Sequence, residues 1–229
     1  MSETSTALIT GASAGLGRAT ALALAERGWD LIITARRAEP LEQVRRATGA
    51  TAVPGDVADP AHRARLAAVL AERDRLDLAL NNASALGPSP LPHLADLPLD
   101  AFGAVLQTNV VAPLAVLQLA LPTLRACDGA VIDISSDAAV VPYEGWGGYG
   151  ASKAALDQLT AVFAAENPRL RVYSFDPGDM RSAMHQAAFP GEDISDRPEP
   201  QTVVPALLRL IDTRPPSGRY TAAELSVAH

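Results

Sequence analysis

The sequence predicts an α/β fold: one doubly wound domain with a parallel sheet of about seven strands and helices on both faces. Three observations predict it. Short apolar runs alternate with longer stretches of helical periodicity. The runs are apolar at successive positions rather than alternate ones, as strands covered on both faces require. A glycine-rich turn joins the first run to the first helical stretch. No repeat or linker divides the chain, so residues 1–229 read as a single domain.

The elements follow in order. Thr6–Thr10 reads as a buried strand, and Gly17–Arg27 as a helix stopped by Gly28. Leu31–Ala35 and Ala50–Pro54 are the second and third strands. Asp59-Pro60 combines an N-cap with proline at the first helical position, opening a helix to about Arg73. Leu76–Leu80 is the fourth strand. Leu99–Ala126 is a long, mostly covered helix that Pro113 and Pro122 should bend or divide. Ala130–Ser135, the helix Tyr149–Glu166, the strand Leu170–Phe175 and the helix Gln201–Asp212 complete the alternation, and Gly218–Thr221 begins a seventh strand. The irregular stretch 179–200 is too long for an idle connection and reads as a substrate lid.

Composition narrows the function. The formal net charge is −7, with no basic patch or tail for nucleic acid and no basic amphipathic helix for an anionic membrane. No apolar run approaches the ~20 residues that span a bilayer. Met1-Ser2-Glu3-Thr4 lacks the positive region of a secretory leader. Cys127 stands alone, which excludes an intrachain disulfide and suits a reducing, cytoplasmic setting. No metal-ligand set is assigned.

The first strand runs into Thr10-Gly11-Ala12-Ser13-Ala14-Gly15-Leu16-Gly17, and a helix follows at once. Glycines let the backbone turn tightly and approach a pyrophosphate, while the helix N-terminus offers free N–H groups. Gly11, Ser13, Gly15, Leu16 and Gly17 are therefore the candidate phosphate-binding residues. The second strand ends Thr34-Ala35-Arg36-Arg37, with no carboxylate before Glu39. An acidic residue there holds a ribose 2′-hydroxyl, whereas a basic one accommodates a 2′-phosphate. Arg36, aided by Ser13, thus favours NADP(H) over NAD(H); the alternative is that Arg36 and Arg37 are solvated surface charges. Asp56, before Val57, either accepts from an adenine amine or caps loop N–H groups.

Of nineteen basic residues, eighteen are arginine, and the one lysine is Lys153. It lies four residues after Tyr149, on the same helical face. A carbonyl reductase needs a proton donor beside the hydride acceptor, and a nearby ammonium stabilises phenolate. Ser136 ends the fifth strand, where a hydroxyl can polarise a substrate oxygen or simply cap the strand end. Asn81-Asn82-Ala83 ends the fourth strand, and Asn109 sits in an otherwise apolar helix where a buried amide must find partners.

In this order, the glycine motif, Asp56-Val57, Asn81-Asn82-Ala83, Asn109, Ser136, Tyr149, Lys153 and Pro177-Gly178 resemble the single-domain, NADP(H)-dependent branch of the short-chain dehydrogenase/reductase superfamily. The resemblance spans about residues 6–182. It implies a Rossmann-type fold and hydride transfer between NADP(H) and a carbonyl or alcohol substrate. Tyr149 is then the general acid/base. Lys153 holds the nicotinamide ribose and lowers the Tyr149 pKa, Ser136 polarises the carbonyl, and Asn109 supports a proton-relaying water. Val57, Asn82, Ala83, Pro177, Gly178, Met180 and Ser182 join the cofactor-binding set. Two departures stand out: Ser84 replaces the family glycine after Asn-Asn-Ala, and Ser182 replaces a threonine.

Ala138, Tyr143, Trp146 and Met184 are the candidate substrate-pocket residues, an apolar and aromatic lining suited to a hydrophobic ketone or aldehyde. His185 reads as a surface residue. The acidic lid residues Glu192, Asp193 and Asp196 disfavour anionic substrates. A non-catalytic dinucleotide sensor or scaffold is the alternative, but a binder has no use for Ser136 and Tyr149 together. Apolar outer faces on the 99–126 and 150–166 helices predict a homodimer or homotetramer.

Overall fold

Seven parallel strands form one sheet in the order β3-β2-β1-β4-β5-β6-β7. They are β1 Thr6–Thr10, β2 Asp30–Ala35, β3 Thr51–Pro54, β4 Leu78–Asn81, β5 Ala130–Ile134, β6 Arg171–Asp176 and β7 Gly218–Thr221. The structure is a computed structural model and describes residues 4–227. Residues 1–3, which bear on the leader reading, lie outside the described residues.

The register separates two cores. Ile9 pairs with Ile33 and Leu80, Leu80 with Ile132, and Ile132 with Tyr173. These side chains face α1 (Gly15–Glu26), α2 (Ala38–Thr48) and α8 (Val204–Thr213). Leu8, Ile32, Ala79, Val131 and Val172, one residue out of phase, face α3 (Pro60–Ala71), α5 (Ala112–Ala126) and α6 (Gly147–Glu166). Burial of each such Leu or Ile contributes ~1.5–3 kcal/mol. This double coverage is what the uninterrupted apolar runs reflect.

The chain adds strands outward from β1 to one edge, then returns to β4 and builds toward the other. The two directions diverge between β1 and β4. In open parallel sheets that divergence opens a crevice beyond the carboxyl ends of the strands. The Gly11 turn, Asn82-Ala83, Ser136 and Pro177-Gly178 all follow those ends.

Several local expectations change. Helix α2 was not foreseen: only Leu41 and Val44 are buried, so its apolar stripe is thin among charged residues and Pro40. Helix α3 begins as expected, with Asp59 Oδ1 accepting from the Ala61 N–H at 2.9 Å. The 99–126 region is helical throughout, as α4 (Leu99–Leu106), a wider π-type turn at Gln107–Val111, and α5. Pro113 follows that turn; it has no N–H to donate to the Asn109 carbonyl, and the wider turn accommodates its ring without a break. Pro122 sits inside α5.

This helical run is also more apolar and less covered than expected. By length and composition alone it is long enough to cross a membrane, with a mean hydropathy of 1.7 over its best window. Its inner face packs on the sheet through Val116, Leu117, Ala120 and Leu124, as a core helix does. Leu99 is 83% exposed. The lid carries a short helix, α7 (Ala183–Ala188), and the chain continues past β7 into α9 (Ala222–Val227).

Candidate active site

At the phosphate end, contact replaces side chains. A Cβ on Gly17 would lie 2.4 Å from Asn82 Nδ2 and 2.6 Å from the Gly11 carbonyl oxygen. Gly11 adopts φ +67°, and its Cβ would stand 2.7 Å from the same Asn82 nitrogen. Asn82 Nδ2 donates to the carbonyls of Thr10 (3.0 Å) and Gly11 (3.2 Å), tying the end of β4 to the loop. Thr10 Oγ1 accepts from the N–H groups of Asn82 and Ala83, both at 3.0 Å. Leu16 is buried beneath the loop and Ser13 is half-buried.

No side chain caps the N-terminus of α1, and no acidic residue occupies its first turn. That leaves first-turn N–H groups and the positive end of the helix dipole for an anion, so the loop fits a diphosphate. Arg36 and Arg37 are exposed and make no ion pair among the described residues. Asp56 Oδ1 accepts from the Ala58 N–H at 2.9 Å, a loop-capping contact. Val57 is buried beside it.

At the chemical end, buried polar side chains interlock. Helix α6 approaches the turn after β5 so closely that a Cβ on Gly150 would lie 2.6 Å from the Ala138 carbonyl oxygen. That approach brings Tyr149 to Ser136. The Lys153 ammonium lies 5.5 Å from the Tyr149 ring centroid and donates to the Ile134 carbonyl at 2.6 Å. Burial lowers the Lys153 pKa to about 8, opposed by the carboxylates of Asp133 and Asp157. Asp133 is itself buried, accepting from Asn81 Nδ2 (2.8 Å) and Thr160 Oγ1 (2.7 Å); burial raises its pKa.

Tyr149 departs from expectation. Burial pushes its phenol up to about 12, and hydrogen bonding with Ser84 and Ser136 opposes that rise only in part. Desolvation of the phenolate is the largest cause, and the carboxylates of Asp137 and Asp176 add to it. Ser136 Oγ donates to Asp137 Oδ1 at 3.0 Å and accepts from the Ala138 N–H at 3.2 Å, so it caps its own turn while standing beside Tyr149.

Asn109 is 1% exposed, and its amide is fully engaged. Nδ2 donates to the Ala85 carbonyl (2.8 Å) and Ser152 Oγ (2.9 Å), while Oδ1 accepts from the Ala85 N–H (2.7 Å) and Ser84 Oγ (3.2 Å). The side chain is thus a brace between β4's exit and α6, with its hydrogen-bonding positions taken by protein groups. Ser84 Oγ donates to Asn109 Oδ1, and its hydroxyl also hydrogen-bonds with the Tyr149 phenol.

The apolar wall is partly the one expected. Ala138, Trp146 and Met184 pack with Tyr149, joined by Leu86, Leu91, Ala187, Ala188 and Phe189. Trp146 meets Tyr149 edge-on at 5.7 Å and Phe189 at 5.9 Å. Tyr143 does not join; it is 45% exposed and donates to Asp137 Oδ2 at 2.8 Å. Its hydroxyl found a carboxylate at the rim, a pairing that aromatic spacing alone does not reveal. Leu86 and Leu91 were missed because they belong to a loop far from Tyr149 in sequence. Met180 packs on the main core beside α8, away from this wall. Pro177 is buried, Gly178 is exposed, and Ser182 Oγ caps α7 by accepting from the His185 N–H at 3.1 Å. His185 is no surface residue. Its side chain is 10% exposed, its ring sits 4.9 Å from Phe189, and Nδ1 lies 3.7 Å from Asp179 Oδ1. The lid folds inward at α7 and carries the ring with it.

A cavity of about 430 Å³ lies on another side of α7, lined by residues such as Arg181, Gln186 and Asp193; it includes neither Tyr149 nor Ser136. At the crevice beyond the strand ends, the glycine loop and the bare N-terminus of α1 share one edge of the sheet with a Tyr–Lys–Ser cluster. This arrangement defines an oxidoreductase of the dinucleotide-binding, doubly wound class. The model of the short chain dehydrogenase family matches residues 5–193, and the chain belongs to that family. It is 38% identical over 179 residues to a serine 3-dehydrogenase of Rhizobium radiobacter, covering 76% of this chain and 71% of the relative. It is 32% identical to the oxidoreductase YciK of Escherichia coli, over 92% of this chain and 88% of the relative. A crystal structure of a short chain dehydrogenase from Shigella flexneri, in complex with NADP, superposes with a TM-score of 0.89 at 32% identity, covering 96% of this chain and 97% of that one.

Proposed function

We propose that this protein is an NADP(H)-dependent oxidoreductase that interconverts a carbonyl compound and its alcohol. The carrying observation is the buried cluster at one crevice: Lys153 Nζ at 5.5 Å from the Tyr149 ring, with Ser136 beside the phenol. Such a cluster supplies a proton at one point and polarises an oxygen at another, which simple nucleotide binding does not require.

When bound, the cofactor supplies or accepts the hydride. The chain's own residues do the rest. Gly11, Ser13, Gly15, Leu16 and Gly17 receive the diphosphate at the α1 N-terminus. Arg36, exposed at the end of β2, accepts the 2′-phosphate through its planar fork. Asp56, Val57, Asn82 and Ala83 bound the adenosine and ribose side, and Pro177, Gly178, Met180 and Ser182 the nicotinamide side. Ser136 orients the substrate oxygen, and Tyr149 Oη delivers or removes its proton. Lys153 holds positive charge behind the phenol, and Asn109 with Ser84 braces the loop that faces it. Ala138, Trp146 and Met184 exclude water from an apolar substrate.

Two copies or four associate through the outer faces of α4–α5 and α6, where Val111 and Val162 remain 44% and 43% exposed. The free, half-buried thiol of Cys127 suits a reducing cytoplasm.

The experiment is a parallel fluorescence titration with NADPH and NADH, followed by NADPH consumption against a panel of aromatic aldehydes and ketones. NADPH is expected to bind at least about tenfold more tightly than NADH, with Arg36→Asp removing most of that preference. Failure of both nucleotides to bind would falsify the reading; equal binding would remove the role of Arg36.

A further inference from the structure

We infer that Arg219, on the last strand of the sheet, is a positioning residue that holds the nicotinamide end of the site in register. The inference rests on the proposed function above. Arg219 Nη2 donates to the Ser136 carbonyl at 3.0 Å and to Asp176 Oδ2 at 2.9 Å. Its Nε donates to Asp157 Oδ2 at 3.2 Å. Asp176 is the last residue of β6, and its other oxygen accepts from the Gly178 N–H at 3.0 Å. Asp157 lies one helical turn beyond Lys153 on α6.

One guanidinium therefore ties together four segments: β7, the exit of β5 at Ser136, the Pro177-Gly178 turn, and the helix that carries Tyr149 and Lys153. Its three acceptors are the Ser136 carbonyl and the carboxylates of Asp176 and Asp157, none of them among the reacting groups of the proposed function, so Arg219 acts through them. The geometry selects arginine. A planar fork reaches acceptors on three elements at once, whereas an ammonium is a single point of charge. The carboxylates it meets are sheltered, with side-chain exposures of 17% for Asp157 and 8% for Asp176, while the arginine side chain itself is 29% exposed. Small displacements of such a frame cost rate steeply, because Ser136, Tyr149 and the turn must meet one reacting centre.

The test uses the full chain with Arg219→Met and Arg219→Lys. Three readouts separate positioning from mere stability: kcat and KM for NADPH-driven reduction of benzaldehyde, the affinity for 2′,5′-ADP, and amide hydrogen exchange with NADPH bound. 2′,5′-ADP fills only the adenosine end. Arg219→Met is expected to lower kcat at least about tenfold, with 2′,5′-ADP affinity within about twofold of wild type. Exchange should quicken over 134–139 and 176–180 but not over the glycine loop at 8–18. Arg219→Lys should recover part of the lost kcat. Should Arg219→Met fail to fold, Arg219→Lys carries the test with an expected kcat loss of about threefold. Wild-type kcat in a folded Arg219→Met protein overturns the inference. So does a parallel fall in kcat and 2′,5′-ADP affinity that lysine does not rescue, since that pattern is global destabilisation. Wild-type protein that binds NADPH but reduces no carbonyl contradicts the proposed function alone; the exchange pattern then decides whether Arg219 holds the frame.

Discussion

The two ends of the crevice are built on opposite principles. The phosphate end depends on missing atoms: Gly11 and Gly17 leave room for Asn82 to enter the loop, and the bare N-terminus of α1 leaves N–H groups unclaimed. The chemical end depends on crowding. Lys153, Asp133, Asn109, Ser152 and Tyr149 are buried together, and nearly every polar atom has a protein partner. A binding surface can be prepared by keeping backbone groups free, whereas a proton-transfer site must desolvate its groups and still satisfy them. The phenol shows the cost. Burial holds Tyr149 near 12, so charge must arrive from elsewhere to bring it into a working range.

That contrast can be broken from either side. The largest effect is expected at the chemical end: Tyr149→Phe should cut turnover by ~10²–10⁴-fold while leaving NADPH affinity close to wild type. Steady-state rates beside a binding titration read this directly, and turnover within a few-fold of wild type would move the proton to another group. Next comes the phosphate end. Gly17→Ala forces a methyl group against Asn82 and the Gly11 carbonyl, and such overpacking costs ~1–3 kcal/mol. NADPH affinity and thermal stability should fall together, unlike in the Tyr149 variant; unchanged affinity would mean that the loop does not receive the diphosphate. The smallest effect sharpens the comparison. Ser84→Gly removes a hydroxyl that joins Asn109 to the phenol, with an expected loss of about 1 kcal/mol or less in stability. The alkaline limb of its pH–rate profile should shift upward, because one of the two hydroxyls that favour the phenolate is gone. A profile identical to wild type would reduce Ser84 to packing.

Legibility follows the same division. The strands were readable because double coverage demands apolar residues at every position, and Thr6–Thr10 is buried throughout. Lys153 was readable because it is the one lysine among eighteen arginines, one turn from a tyrosine. Helix α2 was not, since two buried residues make too faint a stripe. Tyr143 was misread because aromatic spacing says nothing about which way a ring turns. Arg219 was invisible as one arginine of many, 83 residues from Ser136.

The sequence by itself determined the doubly wound sheet, the glycine loop and the Tyr149–Lys153 pair on one helical face. Each of these is carried by local pattern: periodicity, a turn that needs glycine, or an i,i+4 pair on one helix. The tertiary structure alone decided how those side chains are tuned and held. The elevated phenol, the depressed ammonium, the engaged Asn109 amide and the Arg219 frame all arise from desolvation and from contacts between distant segments. Those contacts exist only once β4, β5, β6 and β7 stand side by side.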